Sequence, residues 1–444
     1  SFESCCMTKL TLTPLILCLG LLPFPALAQD GEVQSKQYDD GGVYEGTFKD
    51  GVQHGTGTYT LPNGYEYEGA WVDGEIKGKG VARFPNGSVY EGNFEKGKPD
   101  GFGKITFADG GTYEGEWEAG AITGQGIALY ANGVRYEGSF RNANHHGKGV
   151  MQSPGGYEYQ GDWVDGVKQG VGKITYPDGA LYDGDIADGE RNGTGTLTMP
   201  DGLTYTGQWK DGQIEGTGKV TYPDGSVYEG SFRDDLADGE GKITYPDGST
   251  YEGSWVAGVI EGEGRATYPN GIVYEGGFKN ARNDGQGVMT YADGYKYDGS
   301  WKDGQRNGMG TATYPDGTVY TGGFVDGLRD GTGKITMPDG FTYDGQWSGG
   351  EIEGTGTATY PNGDIYEGAF EGGKRQGQGT MRYKSGEEVS GQWVNGALQE
   401  AGTAPAEDTQ AAPTPDATDE APADAETPSE APADSTDEAE SNDG

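Results

Sequence analysis

A Tyr-x-Gly triplet, most often Tyr-Glu-Gly, returns along this chain every 23 residues and never slips. Its tyrosine stands at Tyr44, Tyr67, Tyr90, Tyr113, Tyr136, Tyr159, Tyr182, Tyr205, Tyr228, Tyr251, Tyr274, Tyr297, Tyr320, Tyr343 and Tyr366, and the next step lands on Val389. Sixteen units therefore occupy residues 44–398 without insertion or deletion. A unit this short cannot bury an apolar face by itself. Strict phasing is what stacking demands, because one shifted unit would disrupt both neighbours. With 86 glycines and 32% hydrophobic residues, the chain also lacks the material for one ordinary globular core.

Within a unit, apolar and polar residues alternate, as in Tyr228, Gly230 and Phe232. That is the period of a strand with one buried face. The same frame holds Tyr44, Gly46 and Phe48; Tyr67, Gly69 and Trp71; Tyr113, Gly115 and Trp117; Tyr251, Gly253 and Trp255. These residues, with Trp301 and Trp347, are the expected repeat core, and the glycine leaves room for rings to lie over the backbone. A polar loop is expected over Arg233–Gly239. A second strand over Gly241–Tyr245 should end at Pro246-Asp247-Gly248, where Asp-Gly signals a tight hairpin turn. The expected fold is all-β: an elongated, solenoid-like meander of about sixteen stacked hairpins. At about 4.8 Å per strand it would stretch roughly 150 Å.

All eight tryptophans fall four residues after the repeating tyrosine, in every second unit, with Phe or Ile186 between them. Eleven residues later Ala82, Ala128, Ala266, Ala312 and Ala358 accompany tryptophans, whereas Ile105, Met151, Met289, Ile335 and Met381 accompany phenylalanines; Trp163 with Ile174 and Trp209 with Val220 are exceptions. Large beside small conserves core volume, so the two columns are expected to touch within one hairpin and the tryptophans to be buried. The structural period is then 46 residues. The rival reading makes the aromatics platforms for glycan, with Tyr65, Tyr157 and Tyr295 as the exposed candidates.

The pattern Tyr-Glu-Gly-x-Phe/Trp, a Gly-rich segment, Gly-x-Gly and Pro-Asp/Asn-Gly at this period resembles the MORN repeat (membrane occupation and recognition nexus), over residues 44–398. The resemblance implies stacked β-hairpins and a role as scaffold or dimerisation module. In some eukaryotic members it implies membrane association through phospholipid.

The flanks differ in kind. Residues 1–28 read as an export signal: Lys9, the apolar stretch Leu10–Leu22, and Ala26-Leu27-Ala28 before Gln29, with Met7 the natural start and residues 1–6 an extension. All three cysteines lie there, so residues 29–444 hold no thiol, and a periplasmic or secreted bacterial protein is expected. Residues 29–43 form a short lead-in. From 399 the chain turns to Ala, Pro, Thr and acids, with fourteen Asp and Glu and no Lys, Arg or aromatic, a composition expected to stay disordered. The formal net charge of −40 disfavours nucleic acid and anionic membranes as partners.

Catalysis has no constellation here. His54, His145 and His146 fall in segments read as polar loops, and no phosphate-cradle motif occurs. The recurring Asp178, Asp201, Asp224, Asp247, Asp316 and Asp339 are explained by turn chemistry, with calcium the lesser alternative. No cofactor, metal or catalytic residue is expected. The reading is a non-enzymatic exported scaffold that binds another protein, or itself through repeat edges such as the first hairpin at Tyr44. The alternative is a cell-envelope module that binds glycan or lipid.

Overall fold

The structure, a computed structural model, describes residues 31–399. The expected export signal and all but the first residue of the expected tail lie outside the described residues. Two compact units are present, divided between Gly147 and Lys148 within the strand Asn144–Gln152. Both are all-β: 33 strands and no helix occur among the described residues.

In the first unit, β1 (Gln34–Gln37), β2 (Val43–Lys49) and β3 (Val52–Thr60) pair in succession, and the antiparallel meander runs on to the strand Arg135–Arg141. The second unit repeats the pattern from Glu158–Val164 to Ala397–Leu398. Strand β1 corrects one expectation. Gln34–Gln37 pairs with Val43–Gly46, so the edge of the first repeat hairpin is closed over those four residues. Four exposed polar residues gave no periodic signal, yet backbone pairing needs none.

Each repeat is a seven-residue strand, a two-residue turn, a nine-residue strand and a five-residue corner. The expected loop Arg233–Gly239 is therefore mostly strand: Val227–Arg233 turns at Asp234-Asp235 directly into Leu236–Thr244. Both turn residues are left-handed, with φ of 49° and 65°, as a two-residue hairpin loop matching strand twist requires. Most units place Gly second, as in Asp73-Gly74, where no Cβ opposes that conformation. The Pro-Asp-Gly segment is instead the longer corner. There Tyr245 N–H donates to the Ser249 carbonyl at 2.9 Å, and Asp247 Oδ1 accepts from Ser249 N–H at 2.8 Å. Asp178, Asp201, Asp224, Asp316 and Asp339 accept the same backbone bond two residues on. Among the described residues no three Asp, Glu, His or Cys side chains converge as a metal site would need.

The three glycines per unit have separate causes. The ring of Tyr67 lies across Gly69 and Gly80, which face each other in register, and its hydroxyl donates to the Ala70 carbonyl at 3.0 Å. A Cβ on Gly80 would stand 2.5 Å from that ring. The first glycine of Gly-x-Gly, Gly78, has φ 105° and sits in a bulge between the pairs Gly69↔Gly80 and Trp71↔Ile76.

That bulge overturns the expected volume pairing. Ala82 is the strand partner of Tyr67, and Ala266 that of Tyr251; neither is the partner of its hairpin's tryptophan. Trp71 instead leans on the preceding hairpin. It packs against Tyr44 at 5.0 Å and Tyr59 at 6.1 Å, and its Nε1–H donates to the Gly57 carbonyl at 3.3 Å. The expected burial itself is observed: all eight tryptophans are at most 8% exposed.

Candidate binding face

Alternation puts tyrosine, the facing glycines and Phe/Trp on one side of each hairpin, and charged residues on the other. On the charged side, pairs such as Lys219–Glu229 (2.7 Å) and Arg265–Glu275 (2.7 Å) link neighbouring hairpins. Exposed pairs of this kind contribute only about 0–1 kcal/mol each.

On the aromatic side the frame hardly varies. Tyr44, Tyr67, Tyr228 and Tyr251 are at most 1% exposed and Tyr113 is 2%. Tyr228 touches Phe232 of its own hairpin and Trp255 of the next, both at 5.1 Å and edge to face. Tyr251 likewise lies between Trp255 and Phe278. Phe48, Trp117, Trp301 and Trp347 take equivalent places beside Tyr44, Tyr113, Tyr297 and Tyr343. The frame glycines Gly46, Gly115, Gly230 and Gly253 each lie within 2.7 Å, measured from an added Cβ, of their tyrosine's hydroxyl. Burial raises the phenols, to about 12 for Tyr44, Tyr113 and Tyr343.

One position of this face varies in charge as well as in size. The residue five after each Phe/Trp is its true strand partner, as in Trp71↔Ile76, Phe232↔Ala237, Phe324↔Arg329 and Phe370↔Arg375. This seat holds Ile beside most tryptophans. In the other units it is Pro99, Ala237 or Leu398, or a basic or polar residue: Gln53, His145, Lys168, Arg191, Asn283, Arg306, Arg329 and Arg375. Arg306, Arg329 and Arg375 are 4%, 4% and 6% exposed. The Arg329 guanidinium lies 4.8 Å from the Trp347 ring and 5.7 Å from that of Tyr320. Arg375 lies 4.8 Å from Trp393, and Arg191 4.3 Å from Trp209. Backbone carbonyls complete the seats: Arg306 donates to Gly327 at 2.7 Å, Arg375 Nε to Gly396 at 3.0 Å, and Arg191 to Gly212 at 2.6 Å. An arginine stacked on rings keeps its full charge while losing hydration, so the face carries cations inside an aromatic row.

The histidines differ from expectation, since all three lie in strands. His145 fills the seat in the first unit. It stacks on Tyr136 at 3.7 Å and meets the Tyr130 hydroxyl at 2.7 Å, and burial pushes it down to about 4, leaving it neutral at ordinary pH.

The expected glycan platforms are not bare. Tyr65, Tyr157 and Tyr295 are half-buried among the corner aromatics. Tyr65 lies 5.8 Å from Phe84, and the Tyr157 hydroxyl accepts from Lys168 at 2.7 Å. Tyr295 lies 5.2 Å from both Tyr291 and Tyr314 and accepts from Arg306. The corner tyrosines Tyr222, Tyr245, Tyr268, Tyr291 and Tyr314 are also half-buried and form a partly accessible rail, in which Tyr291 and Tyr314 stand in the units that precede the Arg306 and Arg329 seats. Sequence reasoning missed both the seats and the rail. The signal was present, as basic residues recurring nine places after the repeating tyrosine.

Comparison with solved structures finds the TCP10 domain of CPAP from Danio rerio, at 17% identity over 65% of this chain and 99% of that one, with a TM-score of 0.15. The same domain in complex with a peptide of Danio rerio STIL matches at 17% over 71% and 100%, TM-score 0.14. The SAS-4 TCP domain with a proline-rich motif of Ana2 from Drosophila melanogaster matches at 13% over 50% and 88%, TM-score 0.17. Scores this low carry no argument. No curated protein matches the chain. The sequence profile of the MORN repeat, in contrast, matches fifteen consecutive times, from 44–64 to 366–388. The sixteenth hairpin lies beyond the last match, its second strand cut to Ala397–Leu398 and Val389 standing in the tyrosine position. With copies in unbroken phase over most of its length, the chain belongs to the MORN-repeat family.

Proposed function

We propose that this chain is a non-catalytic, exported scaffold whose aromatic face takes up an extended segment of another protein. The observation that carries the reading is a seat whose charge changes from hairpin to hairpin within a repeating Tyr, Gly and Phe/Trp frame. Tyrosine, glycine and Phe/Trp build the support, while the seat changes from Ile to Arg, Lys, His or Asn from hairpin to hairpin. A frame that repeats about every 10 Å with one changing side chain suits a polypeptide read along its length. Arginines stacked on rings favour carboxylates in that segment. The presequence of residues 1–28 supports export. Repeat architecture and scattered polar groups support binding without chemistry.

The test is a pulldown from cell-envelope extract with the full chain, the R306Q/R329Q/R375Q variant, and peptidoglycan or polysaccharide as competitor. Retention of a defined protein that is lost in the variant and indifferent to glycan is the expected result. Release by glycan would replace this reading with an envelope-binding module.

A further inference from the structure

The last described strand ends beside a basic seat. Arg375 donates to the carbonyl of Gly396, the strand itself is Ala397–Leu398, and Gln399 N–H bonds the Gln392 carbonyl at 2.8 Å. The chain thus leaves residue 399 within side-chain reach of that guanidinium. Residues 400–444 carry fourteen Asp and Glu, six prolines and no Lys or Arg.

We infer that the acidic segment 400–444 of this chain is itself an occupant of the arginine-bearing face of residues 148–399, and lies along it in extended form. The inference rests on the same face as the proposed function and makes the segment a competitor for the external partner.

Charge, chemistry and length agree. Arg375, Arg329, Arg306, Arg191 and Lys168 stand on one face of the unit, at the same position of their hairpins. On the opposite side, acids such as Glu229 and Glu275 already meet Lys219 and Arg265. Beyond about 8 Å exposed charges are screened at physiological ionic strength, so the carboxylates of an arriving segment respond to the seats they touch. Pro405, Pro413, Pro415, Pro422, Pro428 and Pro432 favour a polyproline-II course, which binds best in grooves lined by aromatic rings. The rail of Tyr268, Tyr291, Tyr295 and Tyr314 offers half-exposed rings of that kind. At about 3.1 Å per residue the segment spans roughly 140 Å. Arg375 and Arg191 are eight hairpins apart, roughly 80 Å at two strands per hairpin. The segment is long enough to pass every seat of the unit.

The experiment labels the full chain with a fluorescent donor and acceptor at A292C, on the exposed corner beside Tyr291, and at T414C. The three native cysteines are replaced (C5S/C6S/C18S). An extended course brings residue 414 about 46 Å along the face, level with that corner; an undocked coil of the same length reaches only about 20 Å from the exit. Expected is a transfer efficiency at least two-fold higher in this chain than in its R306Q/R329Q/R375Q variant, at nanomolar concentration. Near-UV dichroism of the tryptophans checks that the variant folds. If it does not, D416N/D419N/E420Q/D424N/E426Q/E430Q serves instead, because it leaves every strand untouched. Equal transfer with and without the charges overturns the inference. So does transfer seen only between separately labelled molecules, which would assign the face to another copy's segment. Partner capture in the pulldown with equal transfer here would sink this inference alone and leave the proposed function standing.

Discussion

Tyr251 shows why three residue types are locked together. Its ring covers Gly253 and Gly264, its hydroxyl reaches the Ser254 carbonyl at 3.0 Å, and Trp255 and Phe278 close over it. Such a phenol cannot ionise in place. A free tyrosine loses its proton near pH 10, whereas burial holds Tyr44, Tyr90 and Tyr366 to about 12 and Tyr251 higher still. Between those values the unfolded chain releases protons that the folded chain keeps, so stability falls as pH rises from about 10 through 12. We expect tyrosinate absorbance to appear together with loss of near-UV dichroism in an alkaline titration. Tyrosinate forming well before unfolding would contradict the clasped rings. The tryptophans differ among themselves. Trp347 donates to the Gly333 carbonyl at 3.0 Å, while Trp255 Nε1 is buried without a hydrogen-bond partner. Trp347→Phe should therefore cost more than Trp255→Phe, by about 1 kcal/mol, in parallel denaturant titrations.

The hairpin itself was only partly legible in the sequence. The Tyr, Gly and Phe/Trp columns were readable because burial of one face imposes the same residue at every repeat. The segment Arg233–Gly239 misled because polarity signals a loop, yet strands of a one-layer sheet are solvated on one side and can be polar there. The bulge at Gly78 was written as Gly-x-Gly, but its effect on register could not be seen without the pairing. Hence the partner of Trp71 was sought at Ala82 and found at Ile76. The seat escaped because its side chain varies, and variation hides a position from a search for repeats. Two turns, Asn142-Ala143 and Asn280-Ala281, carry a local conflict. Asn280-Ala281 adopts φ of 49° and 59°, so an alanine occupies the left-handed conformation that glycine takes in most units. A left-handed non-glycine residue costs roughly 1–2 kcal/mol. Ala281→Gly should raise stability by about 1 kcal/mol or slightly less, since glycine also loosens the unfolded chain; thermal or urea unfolding reads the sign directly.

For each unit taken whole, stability comes from neighbour on neighbour. Frame tyrosines such as Tyr67, Tyr228 and Tyr320 are covered partly by the hairpin that comes after them. Chains built this way gain and lose length through recombination between copies of the same coding repeat. The alternation of Trp and Phe makes those events unequal. Excising residues 228–250 would bring Trp209 and Trp255 into consecutive hairpins, whereas excising 228–273 joins Trp209 to Phe278 and keeps the order. Removing two repeats should therefore leave a more stable chain than removing one. Natural length variants of such an array should accordingly differ in steps of 46 residues, a parity that descent would preserve even where the sequence drifts.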